Sequence, residues 1–97
     1  MTIDELINDF LQGKTSGTNG SEKKPGNIKI VDDKLLHYET ALLQRKSDYY
    51  VLNYSRYSRT TGVLQNKLKE KIKNYEYKVV TKIPRGYCDD LENYKGE

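Results

Sequence analysis

Three short apolar runs, NIKIV, LLHYETALLQR and YYVLNY, follow one another between residues 27 and 54, and they restrict the possible folds more than anything else in the chain. They alternate or run apolar and are rich in β-branched and aromatic residues, the pattern of strands. Asp32 and Asp33, then Ser47 and Asp48, supply turns between them, because these side chains hydrogen-bond their own backbone. The simplest arrangement is a three-stranded antiparallel meander with a bend near Thr40. TTGVLQNKLKEKIKNY follows, placing Leu64, Leu68, Ile72 and Tyr75 on one helical face, with Lys69 and Lys73 pointing away and Lys67 and Lys71 at the flanks. EYKVVTKI can add a fourth strand. The expected fold is α+β: a three- to four-stranded antiparallel sheet packed against one long helix, with a tethered N-terminal amphipathic helix.

That first helix is written into MTIDELINDFLQG. Thr2 and Glu5 have capping-box spacing, and Ile3, Leu6, Ile7, Phe10 and Leu11 form one apolar stripe. Gly13 suits the left-handed position that ends a helix. Residues 13–26, GKTSGTNGSEKKPG, hold nothing able to join a core and read as a flexible linker spanning roughly 20 Å. The expected organisation is a helix at 1–12, a linker at 13–26, an α+β core at 27–83 and an acidic tail at 84–97. So small a core is near the lower limit for independent folding. An isolated helix of about eleven residues is marginal in water, so its stripe needs a cover. The linker points to a groove on a partner or to a second copy of the chain, and the five stripe residues are the expected partner helix.

Composition narrows the function. No apolar run approaches the roughly 18 residues of a membrane span, and the first residues carry acids where a signal peptide would carry lysines. A single cysteine, Cys88, allows no internal disulfide, as expected in a reducing cytoplasm. Charge is unevenly spread: residues 59–83 hold seven basic and two acidic side chains, a net +5 within a chain of +3. Such an excess attracts and steers polyanions.

Catalysis finds little support in the residues. Cys88 sits beside Asp89 and Asp90, which disfavour a thiolate; His37 has no partner nearby in sequence; no zinc-ligand spacing or phosphate-binding glycine loop appears. No enzyme activity, metal or cofactor is expected. The stretch NYSRYSRTT at 53–61 carries more. As a structural joint, Tyr54 ends a strand, Tyr57 packs at the corner and Thr60 or Thr61 caps the next helix. As a binding element, Arg56 and Arg59 form a fork beside a helix start that presents free N–H groups to an anion. Tyrosine makes up nine of the ten aromatic residues, and on strand and corner it can stack on bases or line an interface. Tyr50, Tyr54, Arg56, Tyr57, Arg59, Lys67, Lys69 and Lys73 are the candidate contacts for nucleic acid or a partner.

Residues 27–71 resemble a group of small proteins carried by phages and plasmids of Gram-positive bacteria, in which a short meander leads into the pattern seen here as Asn53, Tyr57, Ser58, Thr60, Thr61 and Gln65. The resemblance implies a mobile-element origin and a bacterial host cytoplasm. It also implies the roles common in that setting, namely anti-CRISPR and other anti-defence inhibitors or DNA-binding regulators. The expected partner is a host protein or ribonucleoprotein, such as a CRISPR effector. Direct nucleic-acid binding and homodimerisation or structural self-association are the alternatives; a membrane is not expected. The +5 segment argues against mimicry of DNA by acidic side chains.

Overall fold

The computed structural model describes residues 2–20 and 26–94. Helix α1 (Ile3–Leu11) starts as its capping box requires: Thr2 Oγ1 accepts from the Glu5 amide at 3.1 Å, and Glu5 Oε1 accepts from the Thr2 amide at 2.9 Å. It ends in a Schellman closure, with the Gly13 amide donating to Phe10 O and the Lys14 amide to Asp9 O around Gly13 at φ +100°.

Six strands then form one mixed sheet in sequence order: β1 (Ser16–Thr18), β2 (Ile28–Val31), β3 (Lys34–His37), β4 (Thr40–Arg45), β5 (Tyr50–Asn53) and β6 (Tyr77–Val80). β1 to β5 are antiparallel neighbours, and β6 lies parallel to β5. The expectation of a three- to four-stranded antiparallel sheet is therefore corrected at three places. First, LLHYETALLQR is two strands, not one bent strand, because the chain reverses at Tyr38 and Glu39. Second, β1 lies inside the stretch expected as a linker. It has no apolar side chain to betray it and joins through its backbone, with Gly17 opposite Ile30. Residues 21–25 of that stretch fall outside the described residues.

Third, β6 returns parallel because helix α2 (Arg59–Lys71) intervenes, and a helical crossover is what a parallel pair needs.

The helices cover one face of the sheet. Leu6, Ile7 and Phe10 of α1 and Leu64, Leu68 and the following Ile72 of α2 bury against Ile28, Ile30, Leu35, Leu52 and Tyr50. A bulge at Leu42 in β4 turns both Leu42 and Leu43 into this core. The tethered helix is thus corrected as well: α1 is part of its own domain. Arg45 fastens it, its guanidinium donating to Phe10 O and Lys14 O and lying 4.8 Å from the Phe10 ring centroid. The opposite face is closed by the C-terminal segment, whose Ile83 and Leu91 pack on Leu36, Ala41 and Val51. Leu91 opens a 3-10 turn (Leu91–Asn93) and is 1% exposed, its amide donating to Gln44 Oε1 at 2.8 Å. The described part of the acidic tail therefore lies on the sheet. Residues 95–97 are outside the described residues.

Candidate functional site

The joint between β5 and α2 is built on a buried polar hub. Asn53 is 0% exposed and uses every hydrogen-bonding position of its amide. Its Nδ2 donates to Ala41 O and to the Tyr57 hydroxyl, each at 2.9 Å, and its Oδ1 accepts from the Ser55 amide and hydroxyl. Gln65, nearly two turns into α2, donates back to Asn53 O at 2.8 Å and Ser55 O at 2.7 Å. Tyr57 donates to Ile83 O at 2.6 Å, and the Ile83 amide donates to Ser55 Oγ at 2.8 Å. The helix cap is Ser58, in place of the expected Thr60 or Thr61. Ser58 has extended backbone (φ −91°, ψ 168°) and its Oγ accepts from the Thr61 amide at 3.2 Å, whereas both threonines already lie inside the helix. Asn53, Tyr57, Ser58, Thr61 and Gln65 thus form a structural joint. Thr60 is exposed beside it.

His37, 5% exposed, extends this joint to the hairpin side, and neighbouring amides set its proton. Asn19 Oδ1 accepts from the Ile28 amide (3.1 Å), so Asn19 Nδ2 donates to Asn27 Oδ1 (3.3 Å). Asn27 Nδ2 then faces His37 Nε2 at 3.4 Å as a donor, which makes Nε2 the lone-pair nitrogen. The ring proton then sits on Nδ1 and is donated to Thr61 Oγ1 at 3.1 Å, and the Thr61 and Ser58 hydroxyls share a further hydrogen bond of 3.1 Å. A histidine acting as a general base presents a lone pair to the hydroxyl it activates. His37 presents an N–H.

Burial pushes the His37 pKa below its ordinary value. Below about pH 6.5 the unfolded chain then binds more protons than the folded one, so stability is complete above that pH and lost as the pH falls, by at most about 1.4 kcal/mol per unit. Asp90, held low chiefly by a hydrogen bond from Lys46, and Glu92, held low chiefly by one from Tyr49, add their own losses only below about pH 4.5. Urea midpoints should therefore decline below about pH 6.5, and His37→Gln should flatten the profile between about pH 6.5 and 5. An unchanged profile in that variant would contradict the assignment.

The candidate contact residues separate on the folded chain. Tyr50 is 8% exposed, packed between Phe10 and Tyr75, and is core. Lys67 pairs with Asp4 at 3.2 Å, tying α2 to α1, and Lys73 pairs with Glu70 at 2.6 Å. Leu6, Ile7 and Phe10 are fully buried, and Ile3 and Leu11 are half-buried against the same core, so the expected partner helix is covered by its own sheet. Arg56 and Arg59 are exposed and line one open concavity of about 580 Å³ with Tyr54, Tyr57 and Ser58. Tyr54 bonds Asn66 through its hydroxyl and carries Lys69 Nζ 5.2 Å from its ring centroid.

A second concavity, about 790 Å³, shares Tyr57 and Ser58 with the first and is lined further by Lys29, Tyr38, Glu39 and Arg85. Lys29, Tyr38 and Arg85 were not candidates from sequence, since Arg85 is remote from the other two and none belongs to a basic run.

Charge pairing follows the same division. On the sheet face under the C-terminal segment, Lys46 pairs with Asp90 (2.7 Å) and Glu92 (3.6 Å), and Lys78 with Glu92 (3.4 Å). The hydrogen bond to Asp90 is the largest cause of a raised Lys46 pKa. Among the described residues, Lys14, Lys29, Arg45, Arg56, Arg59, Lys69, Lys71, Lys82 and Arg85 have no ion-pair partner, and Lys29, Arg56, Arg59 and Arg85 are the ones that line the two concavities. No group of three His, Cys, Asp or Glu side chains is placed to hold a metal among the described residues, and no described helix is long and apolar enough to cross a membrane. No family model, curated protein or solved structure matches the chain.

Proposed function

We propose that this chain is a non-enzymatic binding protein of a mobile element that docks on a host nucleoprotein by gripping its nucleic acid, as an inhibitor or accessory factor in a bacterial cytoplasm. The observation that carries this reading is the uneven neutralisation of its cations. The lysines under the C-terminal segment are matched to carboxylates, while Arg56, Arg59, Lys29 and Arg85 line two adjoining concavities without one. Unpaired arginines beside hydroxyls and tyrosines are the usual equipment for phosphate contact.

Salt dependence tests the proposal. Four to five phosphate contacts give a log–log slope of affinity against salt of about −4 on duplex DNA and about −3 on single strands. Arg56→Ala with Arg59→Ala should make the duplex slope shallower by about 2 and leave unfolding nearly unchanged, since exposed arginines add little to stability. A slope near zero on naked nucleic acid, with tight binding to a host complex, would assign the contact to a protein surface instead.

A further inference from the structure

The loop joining β3 to β4 contains only Tyr38 and Glu39, and Tyr38 has φ +58°. Hairpin positions with positive φ are the province of glycine, asparagine and aspartate, because a Cβ is strained there. A tyrosine accepts that strain here and gains little burial for it. The residue is 66% exposed, its ring resting tilted against His37 with centroids 4.6 Å apart. The backbone is nevertheless held firmly, the Tyr38 amide donating to Asn27 O at 2.6 Å. A locally unfavourable residue, rigidly presented and uncovered, is the pattern of a contact residue.

Its surroundings specify the ligand. Lys29 on β2 and Arg85 line the same concavity, and the Arg85 turn is pinned to the hairpin by the Gly86 amide donating to Thr40 Oγ1 at 2.8 Å. Glu39 is the single acid among the lining residues, so the two cations outweigh it. Tyr57 and Ser58 form the shared wall with the Arg56 and Arg59 concavity.

We infer that Tyr38 is a stacking platform for an unpaired base, with Lys29 and Arg85 holding the adjoining phosphates, so that the protein prefers single-stranded nucleic acid. This rests on the proposed function and adds strand selectivity to it. A duplex keeps its bases stacked on one another and offers none to the ring, whereas a single strand can lay a base on Tyr38 and continue its backbone past Ser58 to the arginines.

The test uses a short fluorescent oligothymidylate and a duplex of similar length, titrated at one ionic strength. Tyr38→Gly should weaken the single strand about tenfold, within the range for loss of one stacked base, and leave the duplex unchanged. Because glycine suits φ +58°, the melting temperature should stay within about 2 °C. Tyr38→Phe should retain single-strand affinity, since stacking needs only the ring. Arg56→Ala with Arg59→Ala should weaken both probes. Unchanged single-strand binding in Tyr38→Gly, with both probes weakened by the arginine changes, would overturn the platform and spare the proposed function. A marked fall in melting temperature with both probes lost would also overturn it, making Tyr38 structural. Wild-type protein that binds neither probe would overturn the proposed function and the platform together.

Discussion

Deleting residues 1–13 should unfold the protein, not release a partner-binding arm. Leu6, Ile7 and Phe10 are each 0% exposed, and side chains of this kind contribute roughly 1.5–3 kcal/mol each when fully buried. Their removal takes away several kcal/mol from a domain whose whole stability is of order 5–15 kcal/mol. It also uncovers Ile28 and Ile30 and strips the Arg45 guanidinium of the Phe10 carbonyl it bonds. The loss of the Lys67–Asp4 pair adds little, because that pair is half exposed. Phe10→Ala, a gentler change, should cost about 3–5 kcal/mol by urea unfolding. A truncated chain that unfolds cooperatively with native-like circular dichroism would show that the sheet stands without α1.

Asn53→Ala should be the most damaging single change at the β5–α2 joint, costing more than about 3 kcal/mol. The buried Ala41 carbonyl and the Ser55 amide and hydroxyl each lose a partner, and an unsatisfied buried group costs about 1–3 kcal/mol. Tyr57 loses the donor to its hydroxyl and with it part of its hold on Ile83. Asn53→Asp should not rescue the site: it keeps the acceptor, removes both donors and buries a charge. The neighbouring exposed arginines make the control, since their replacement should move stability by no more than about 0.5 kcal/mol. Denaturant titration of the variants decides the matter, and a cost below about 1 kcal/mol for Asn53→Ala would mean that water replaces the hub.

Parts of this molecule are legible without coordinates. The capping box at Thr2 and Glu5, the Gly13 stop, the turns at Asp32 and Asp33 and at Ser47 and Asp48, and Leu64, Leu68 and Ile72 on the apolar face of α2 all appear where the local pattern places them, whereas Tyr75 falls beyond the helix and is exposed. The exposure of Arg56 and Arg59 and the corner position of Tyr57 were legible too. Their meaning was not: Asn53, Tyr57, Ser58, Thr61 and Gln65 belong to one hydrogen-bonded joint, and the cap falls to Ser58 because the helix begins two residues earlier than a Thr60 cap would place it.

The difference is one of range. Caps, turns and helical periodicity depend on groups three or four residues apart, so the amino-acid order alone determines them. What covers an apolar stripe depends on which surfaces the whole chain leaves open. The stripe of α1 looked like a partner helix because fourteen polar residues separate it from the first strong strand. Three of them form β1 through backbone bonds, with Gly17 at φ +150° leaving room for Leu6, and that edge brings α1 down onto β2. Likewise, β6 became parallel through the crossover of α2, and the described acidic tail became a lid over Ala41 and Val51 because Leu91 had a second apolar face to fill. Only the fold decided that Lys29, Tyr38 and Arg85 stand together, since Arg85 is remote from the other two in sequence.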